Sequence, residues 1–507
     1  MRVLLATVAL IGAGLGALAI VGGSSGSQGQ ATASRPNVVL LVLDEFPGDS
    51  LLDARGAIDP VRYPSFAALA SDATWFRNAF SVYDSTTKAV PLILDGIEPV
   101  AGSHADPRSH PHSLFTALAR RGYRTVSAEE ASAICPPRLC RGAPKRRPAI
   151  IPRLNGGRKA RFGDFVYSLR PGPRPTLWVK HALLPHGPYL YLPSGARTRS
   201  GARDLVPGMN GLPGFHDPFL TRHNEQRYLL QLGFVDRLIG RLVGRLKQQG
   251  MYDDTLLVVT ADHGFAWQSG VETRRSVSPS NVEELTPVPL LVKAPGQVRG
   301  HVSDAYARSL DVTPTIADLL NVKLGYRADG TSAFGRQARR RRTVRLDTRD
   351  FSSVVRISGR RWEARRRQVV RRRLRDFGSG SQGLFTGIGP NRVLLGQSSS
   401  APARAPAGTL RATIAAVGEL RRVRRSSGLL PTQIAGDLTG GRGGARRDVA
   451  VAVNGRIEAV GRTFRLTGDP VEHYSLMVPE TALRDGRNAV EVFQVLPGPR
   501  LRVLARS

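Results

Sequence analysis

A chain of 507 residues with 73 Lys+Arg against 40 Asp+Glu, a formal net charge of +33, is too long for one ordinary domain and long enough for two or three with a large core. The positive excess, almost all arginine, would attract polyanions. No zinc-ligand Cys/His cluster, aromatic RNA-binding signature or helix-turn-helix pattern accompanies it, so nucleic acid is not an expected partner.

Residues 1–34 carry one early charge, Arg2, then an unbroken apolar stretch over 3–21 and a Ser/Gly/Gln-rich run. This is the pattern of a signal peptide or membrane anchor with a linker, so an exported protein is expected, secreted or membrane-anchored through its N-terminus. The string Gly12-Ala13-Gly14-Leu15-Gly16-Ala17 fits a loose dinucleotide-binding pattern but lies in membrane-like sequence rather than a βαβ unit, and is set aside. From 35 to 325, β-like apolar runs alternate with amphipathic helical stretches, the pattern of an α/β sheet covered by helices. Runs at 38–43 and 255–260 read as buried strands, with a third at 177–179. Helical spacing appears over 64–73 (Phe66, Leu69, Ala70), over 223–249 (Tyr228, Leu232, Val235, Leu238, Ile239, Leu242) and over 309–320, where Pro314 falls near the first turn. In an exported protein Cys135 and Cys140 most simply form a small disulfide loop.

Beyond 325 the composition changes. Residues 326–397 form an extension with arginine clusters at 339–342, 365–367 and 371–373, and 398–407 is a Ser/Ala/Pro-rich linker. Over 408–507, short alternating runs at 448–456, 462–466, 474–478 and 489–495 are separated by Asn-Gly, Gly-Asp and Asp-Gly turn signals, which predicts a smaller C-terminal β-sandwich domain.

Two buried-strand runs end in metal-ligand residue types, Asp44-Glu45 and Asp262-His263. Open α/β sheets bind ligands beyond the carboxyl ends of their strands, so these four side chains are candidates to converge. Carboxylates with an imidazole suit a divalent metal ion: zinc, manganese, magnesium or calcium.

The residues 37–45, NVVLLVLDE, resemble the opening strand of sulfatases and related phosphotransferases, and TADHG at 260–264 resembles their later metal-binding strand end. Between them, STTKAVPLILDG at 85–96 is similar to the family's nucleophile segment. The set resembles the alkaline phosphatase/sulfatase superfamily, in a threonine-nucleophile branch like the phosphoethanolamine and phosphoglycerol transferases. The resemblance implies an alkaline-phosphatase-like sheet with helices on both faces and a metal-dependent hydrolase or phosphotransferase. It also implies that Thr86 is both nucleophile and metal contact, with Ser85 and Thr87 as rivals. Thr86 stands where sulfatases carry the cysteine that becomes formylglycine, so sulfuric ester hydrolysis by that route is not expected. The segment KHALLPHGPY at 180–189 is similar to the family's Pro-His-x-Pro substrate loop, which makes His186 the preferred catalytic histidine and His181 a substrate-binding candidate. Lys88 is placed to counter transition-state charge, and Arg274 and Arg275 to bind substrate anions. The expected substrate is a phosphoester of an anionic envelope lipid or glycopolymer; sulfatase activity and a non-catalytic envelope-binding protein are the alternatives.

Overall fold

The computed structural model describes residues 35–506 except 141–142, 144–146, 202–204, 207–216, 271–273, 276, 349, 381, 442–445 and 467. The apolar segment read as a signal or anchor lies outside the described residues. Among the described residues no helix is long and apolar enough to cross a membrane.

The strands β1 (Asn37–Asp44), β2 (Thr74–Phe76), β3 (Arg124–Ala128), β4 (Thr176–Pro185), β5 (Thr255–Ala261), β6 (Leu290–Lys293) and β7 (His301–Ser303) form one sheet in the order β3-β4-β1-β5-β6-β2-β7. The core strands β4, β1 and β5 are parallel, and β6 runs antiparallel to β5 and β2. Strands buried on both faces read as continuous apolar runs, and Val38 through Leu43 are all fully buried. Leu43 pairs with Ala261 on one side and Ala182 on the other, so the carboxyl ends of all three strands coincide. β4 is longer than the run at 177–179 suggests. It continues through Lys180 and His181 because Lys180 is neutralised inside the protein by an ion pair with buried Glu130.

The helix Pro218–Gln248 packs along β4 and the helix Pro64–Ala70. Its six expected apolar positions are buried. It starts earlier than the apolar spacing predicts because Asp217 caps it, accepting the Phe219 and Leu220 N–H groups at 2.8 and 3.0 Å, and Pro218 suits the first turn. The helix Pro64–Ala70 ends sooner than predicted, in a turn that feeds β2.

The arginine-rich extension is built into the α/β core. A hairpin of β8 (Thr343–Asp347) and β9 (Val354–Ser358) leads to the helix Gly359–Phe377, which buries Trp362, Arg366, Val370, Arg373 and Phe377. Arg366 lies 4.1 Å over the Trp362 ring and binds Asp49 through Nε to Oδ2 at 2.9 Å and Nη2 to Oδ1 at 2.6 Å. Arg373 donates to the Asp49 carbonyl. Arg341, Arg365 and Arg372 are paired with Asp311, Glu283 and Glu284 at 2.8, 2.8 and 3.1 Å.

The C-terminal region holds β10 (Arg411–Ala412), β11 (Gln433–Thr439), β12 (Asp448–Val453), β13 (Arg456–Arg462), β14 (Glu472–Met477), β15 (Val490–Leu496), β16 (Arg500–Val503) and β17 (Ala505–Arg506). They make two four-stranded sheets, β14-β11-β10-β17 and β13-β12-β15-β16. Alternation sorts β12: Val449, Val451 and Val453 join the main core with Ile434, Leu438 and Leu476 of the other sheet, while Ala450 and Ala452 pack with Phe493 and Leu394. The Asn454-Gly455 turn between β12 and β13 has φ of 52° and 82°, the backbone that two-residue hairpins need. Segment 398–407 is bridged to this region through Ser398 to Arg456 and Arg404 to Leu501.

Removing Arg366 would leave Asp49 charged and buried. Arg366→Ala is therefore expected to lower the unfolding free energy by about 3 to 5 kcal/mol, read from the urea midpoint. A change within the error of the measurement would mean the pair bears no part of the fold.

Candidate active site

Strand register decides which side chains meet. Asp44 ends β1, Asp262 follows β5 directly, and a bulge after Leu43 shifts the pairing so that Asp44 stands opposite Pro185. Asp44, Asp262 and His181 are buried, and one donor atom of each lies within 4.8 Å of the others. Asp262 Oδ1 accepts the Glu45 and His263 N–H groups at 3.1 and 2.6 Å. Its Oδ2 and both ring nitrogens of His181 find no hydrogen-bond partner among the described residues. Buried polar atoms are normally satisfied. One carboxylate oxygen and an imidazole left in this way, together with the nearby Asp44 carboxylate, are a donor set for a divalent cation, so the residues fit the metal ion that the sequence implies. Burial, then the neighbouring charges of Asp262 and Glu45, push the Asp44 carboxyl well above its ordinary value. Burial holds His181 down at about 4, so its imidazole is the neutral form that ligates metals.

Thr86 opens the helix Thr86–Asp95 behind Ser85, whose extended backbone ends the preceding loop. The hydroxyls of Ser85 and Thr87 bond to one another at 3.2 Å. That of Thr86 instead lies 3.5 Å from Asp44 Oδ1 and 3.3 Å from His263 Nε2. His263 donates Nδ1–H to the Gly264 carbonyl at 2.8 Å, which leaves Nε2 as an acceptor toward Thr86. Gly264 has to be glycine for steric reasons: a Cβ there would sit 2.7 Å from the Glu284 carbonyl oxygen. Ser81 fixes the turn from the other side, donating to the Asp262 carbonyl at 2.6 Å.

The expected cluster is rearranged at its edge. Glu45, expected beside the metal, turns to Arg274 at 3.1 Å, to Arg275 and to His186 at 3.5 Å. Burial alone would raise its carboxyl, but Arg274 and Arg275 hold it below the ordinary range. His186 donates Nδ1–H to the Gly187 carbonyl at 2.6 Å and accepts from Arg275 at the same distance. Burial pushes this histidine down to about 3, so it is neutral. Arg274 and Arg275, expected to meet substrate anions, thus already hold an internal one. Lys88 does not join the cluster, because its ammonium is taken by the Ser103 carbonyl at 2.8 Å. His181, expected on the substrate loop, lies inside β4 with Asp44 and Asp262. Cys135 and Cys140 are joined by a disulfide.

Two residues that sequence reasoning missed hold the histidine loop in place. Arg158, fully buried, donates to the Leu183 and His186 carbonyls at 3.2 and 2.6 Å. Gln231 donates to the Pro185 carbonyl at 2.7 Å and accepts the Leu190 N–H at 2.8 Å. Gln231 left one trace, as a polar residue between Leu230 and Leu232 on a buried helix face. Arg158 left none.

A family model described as Sulfatase matches residues 36–322, more than half of the chain. The chain belongs to the sulfatase family. Among curated proteins, this sulfatase-family chain is similar to a multifunctional alkaline phosphatase superfamily protein of Trinickia caryophylli, 34% identical over 100 residues that make up 19% of each chain. It is also similar to the choline-sulfatase of Rhizobium meliloti, 30% identical over 106 residues, 20% of each chain. These matches span about a fifth of the relatives' length. Among solved structures it is similar to a phosphonate monoester hydrolase from Silicibacter pomeroyi, with a TM-score of 0.43 and 23% identity, covering 62% of this chain and 80% of that one.

If Asp44, His181 and Asp262 hold the ion, His181→Ala and Asp262→Asn will each weaken binding of a divalent cation at least about tenfold. Both will also lose the rise in thermal midpoint that the metal gives the parent protein. Glu45→Gln will retain its metal. Equal metal content in all four proteins, measured by plasma mass spectrometry, would refute this ligand set.

Proposed function

We propose that this chain is a metal-dependent hydrolase or phosphotransferase that cleaves phosphoesters through a covalent intermediate on Thr86. One observation carries the reading: of the three adjacent hydroxyls at 85–87, that of Thr86 faces the buried acidic group and the His263 acceptor. A threonine hydroxyl is a weak nucleophile until its proton is removed or its alkoxide stabilised. A divalent ion held by Asp44, His181 and Asp262 supplies a positive field that favours the alkoxide and offsets charge on the transferring group.

The residues of the chain do the rest. His263 Nε2 takes the Thr86 proton as the Oγ–P bond forms. The bond from phosphorus to the leaving oxygen breaks, and that oxygen takes the proton now on His263 Nε2 and leaves as an alcohol. Water or an acceptor hydroxyl then attacks phosphorus and returns Thr86 to its free form. The burial of Thr86, Asp44 and His263 limits access of stray water to the reacting oxygen. Both cysteines are committed to the disulfide, which argues against the cysteine-derived nucleophile of sulfate-ester hydrolysis. The apolar segment at 3–21 and the charge of +33 favour work outside the cytoplasm on an anionic lipid or glycopolymer donor.

Thr86→Ala is expected to lower turnover of phosphate mono- and diesters by about three powers of ten or more while leaving the metal content intact. Mass spectrometry of the parent protein quenched during turnover should find phosphate, or a larger phospho-head group, on Thr86. Full activity in the variant overturns the assignment, an adduct on Ser85 or Thr87 moves it, and a sulfate adduct replaces phosphoryl transfer by sulfuryl transfer.

A further inference from the structure

The helix Gly359–Phe377 has two arginine populations. Arg366 and Arg373 point inward, while Arg360, Arg367, Arg371 and Arg375 share the opposite, exposed face at helical spacing. Between this helix and the loop at 49–56 runs a cleft of about 520 Å³ that shares no lining residue with the Thr86 site. Leu52, Val370 and Leu374 give it apolar walls.

The charges around the cleft do not cancel. Two acids on its wall are paired with arginines, Asp49 with Arg366 at 2.6 Å and Asp53 with Arg55 at 3.1 Å, and the third, Glu363, accepts from the Tyr306 hydroxyl, against five arginines in the lining. Arg77 is paired with Asp304. Arg367 reaches only to 3.8 Å from Glu363. Arg371 has no hydrogen bond or ion pair among the described residues. Two guanidiniums one helical turn apart therefore stand beside an apolar wall, that of Arg367 shared with Glu363 and that of Arg371 without a counter-charge among the described residues. Guanidinium forks match the oxygens of a phosphate or phosphonate, and the wall beneath offers burial to a short hydrocarbon chain.

We infer that this cleft is a second binding site, separate from the Thr86 site, for an amphiphile with a phosphate or phosphonate head. Arg367 and Arg371 hold the head and Leu52, Val370 and Leu374 cover the tail. The same head chemistry occurs on lipids and as the free ion, and the tail distinguishes the two.

Octylphosphonate, whose C–P bond is not a phosphoester, is the probe, titrated below its micellar concentration into the full-length chain by calorimetry. One binding event is expected. Arg367→Gln combined with Arg371→Gln should weaken it at least tenfold without shifting the thermal midpoint, since both side chains are exposed. Leu374→Gln should weaken octylphosphonate more than methylphosphonate, and Asp262→Asn should leave the event unchanged. Unchanged affinity in the double arginine variant overturns the site. So does loss of the event in Asp262→Asn, which would place the ligand at Thr86. Methylphosphonate binding as tightly as octylphosphonate overturns the amphiphile and leaves a free-anion site.

Discussion

Asp44 and Asp262 are buried next to one another where adjacent parallel strands end, and like charges so placed repel strongly in a medium that screens them poorly. The sheet creates this conflict by register alone, because pairing Leu43 with Ala261 brings the next residue of each strand to the same edge. Much of the surrounding architecture answers it. Backbone N–H groups of Glu45 and His263 converge on Asp262 Oδ1, His181 contributes an uncharged imidazole, and Asp262 Oδ2 and the His181 nitrogens stay without a hydrogen-bond partner among the described residues. A carboxylate pair this deep without a counter-charge would take up a proton, and the upward displacement of Asp44 is that tendency expressed.

Positive charge in this protein works at two depths. A formal +33 suggests a chain coated in arginine, yet Arg158, Arg366 and Arg373 are interior residues that satisfy backbone carbonyls or a buried aspartate. The guanidinium suits this use because its planar fork makes several directed hydrogen bonds while its face stacks on an aromatic ring, as Arg366 does on Trp362. The arginines on the far side of the same helix are exposed and act outward. Counting charges in the sequence could not separate these populations, because the partner that draws Arg366 inward, Asp49, is 317 positions away.

What could be read from the sequence was what local periodicity encodes. The continuous apolar runs of β1 and β5 and the spacing of Tyr228, Leu232 and Val235 carry their own structural meaning, and strand ends in an α/β sheet localise a site without knowledge of the loops. Asp44, Asp262, His263 and Thr86 could be singled out on those grounds together with a family resemblance, and the structure brings the four into one cluster. The failures lie where a distant partner changes the sense of a residue. Lys180 and His181 read as loop because a lysine disfavours a buried strand, and only Glu130 makes that strand tenable. Within the arginine-rich extension the sequence showed only charge clusters, because the inward positions of the helix Gly359–Phe377 mix Trp362 and Val370 with charged residues.

Glu45 is the clearest case of backbone conformation overriding residue type. As an acid beside Asp44 it reads as a ligand, but its φ of 57° lies in the left-handed region that non-glycine residues seldom adopt. That conformation aims its N–H at Asp262 Oδ1, so the residue serves the acidic cluster through its main chain while its side chain is carried to Arg274, Arg275 and His186. The arrangement turns the third carboxylate away from Asp44 and Asp262 and ties it to two guanidiniums and a neutral imidazole. An aspartate in the same place, one methylene shorter, would reach the arginines less well. The longer side chain is thus tied to the arginine pair downstream, and the two departures from a simple metal-binding reading of the sequence are one structural feature.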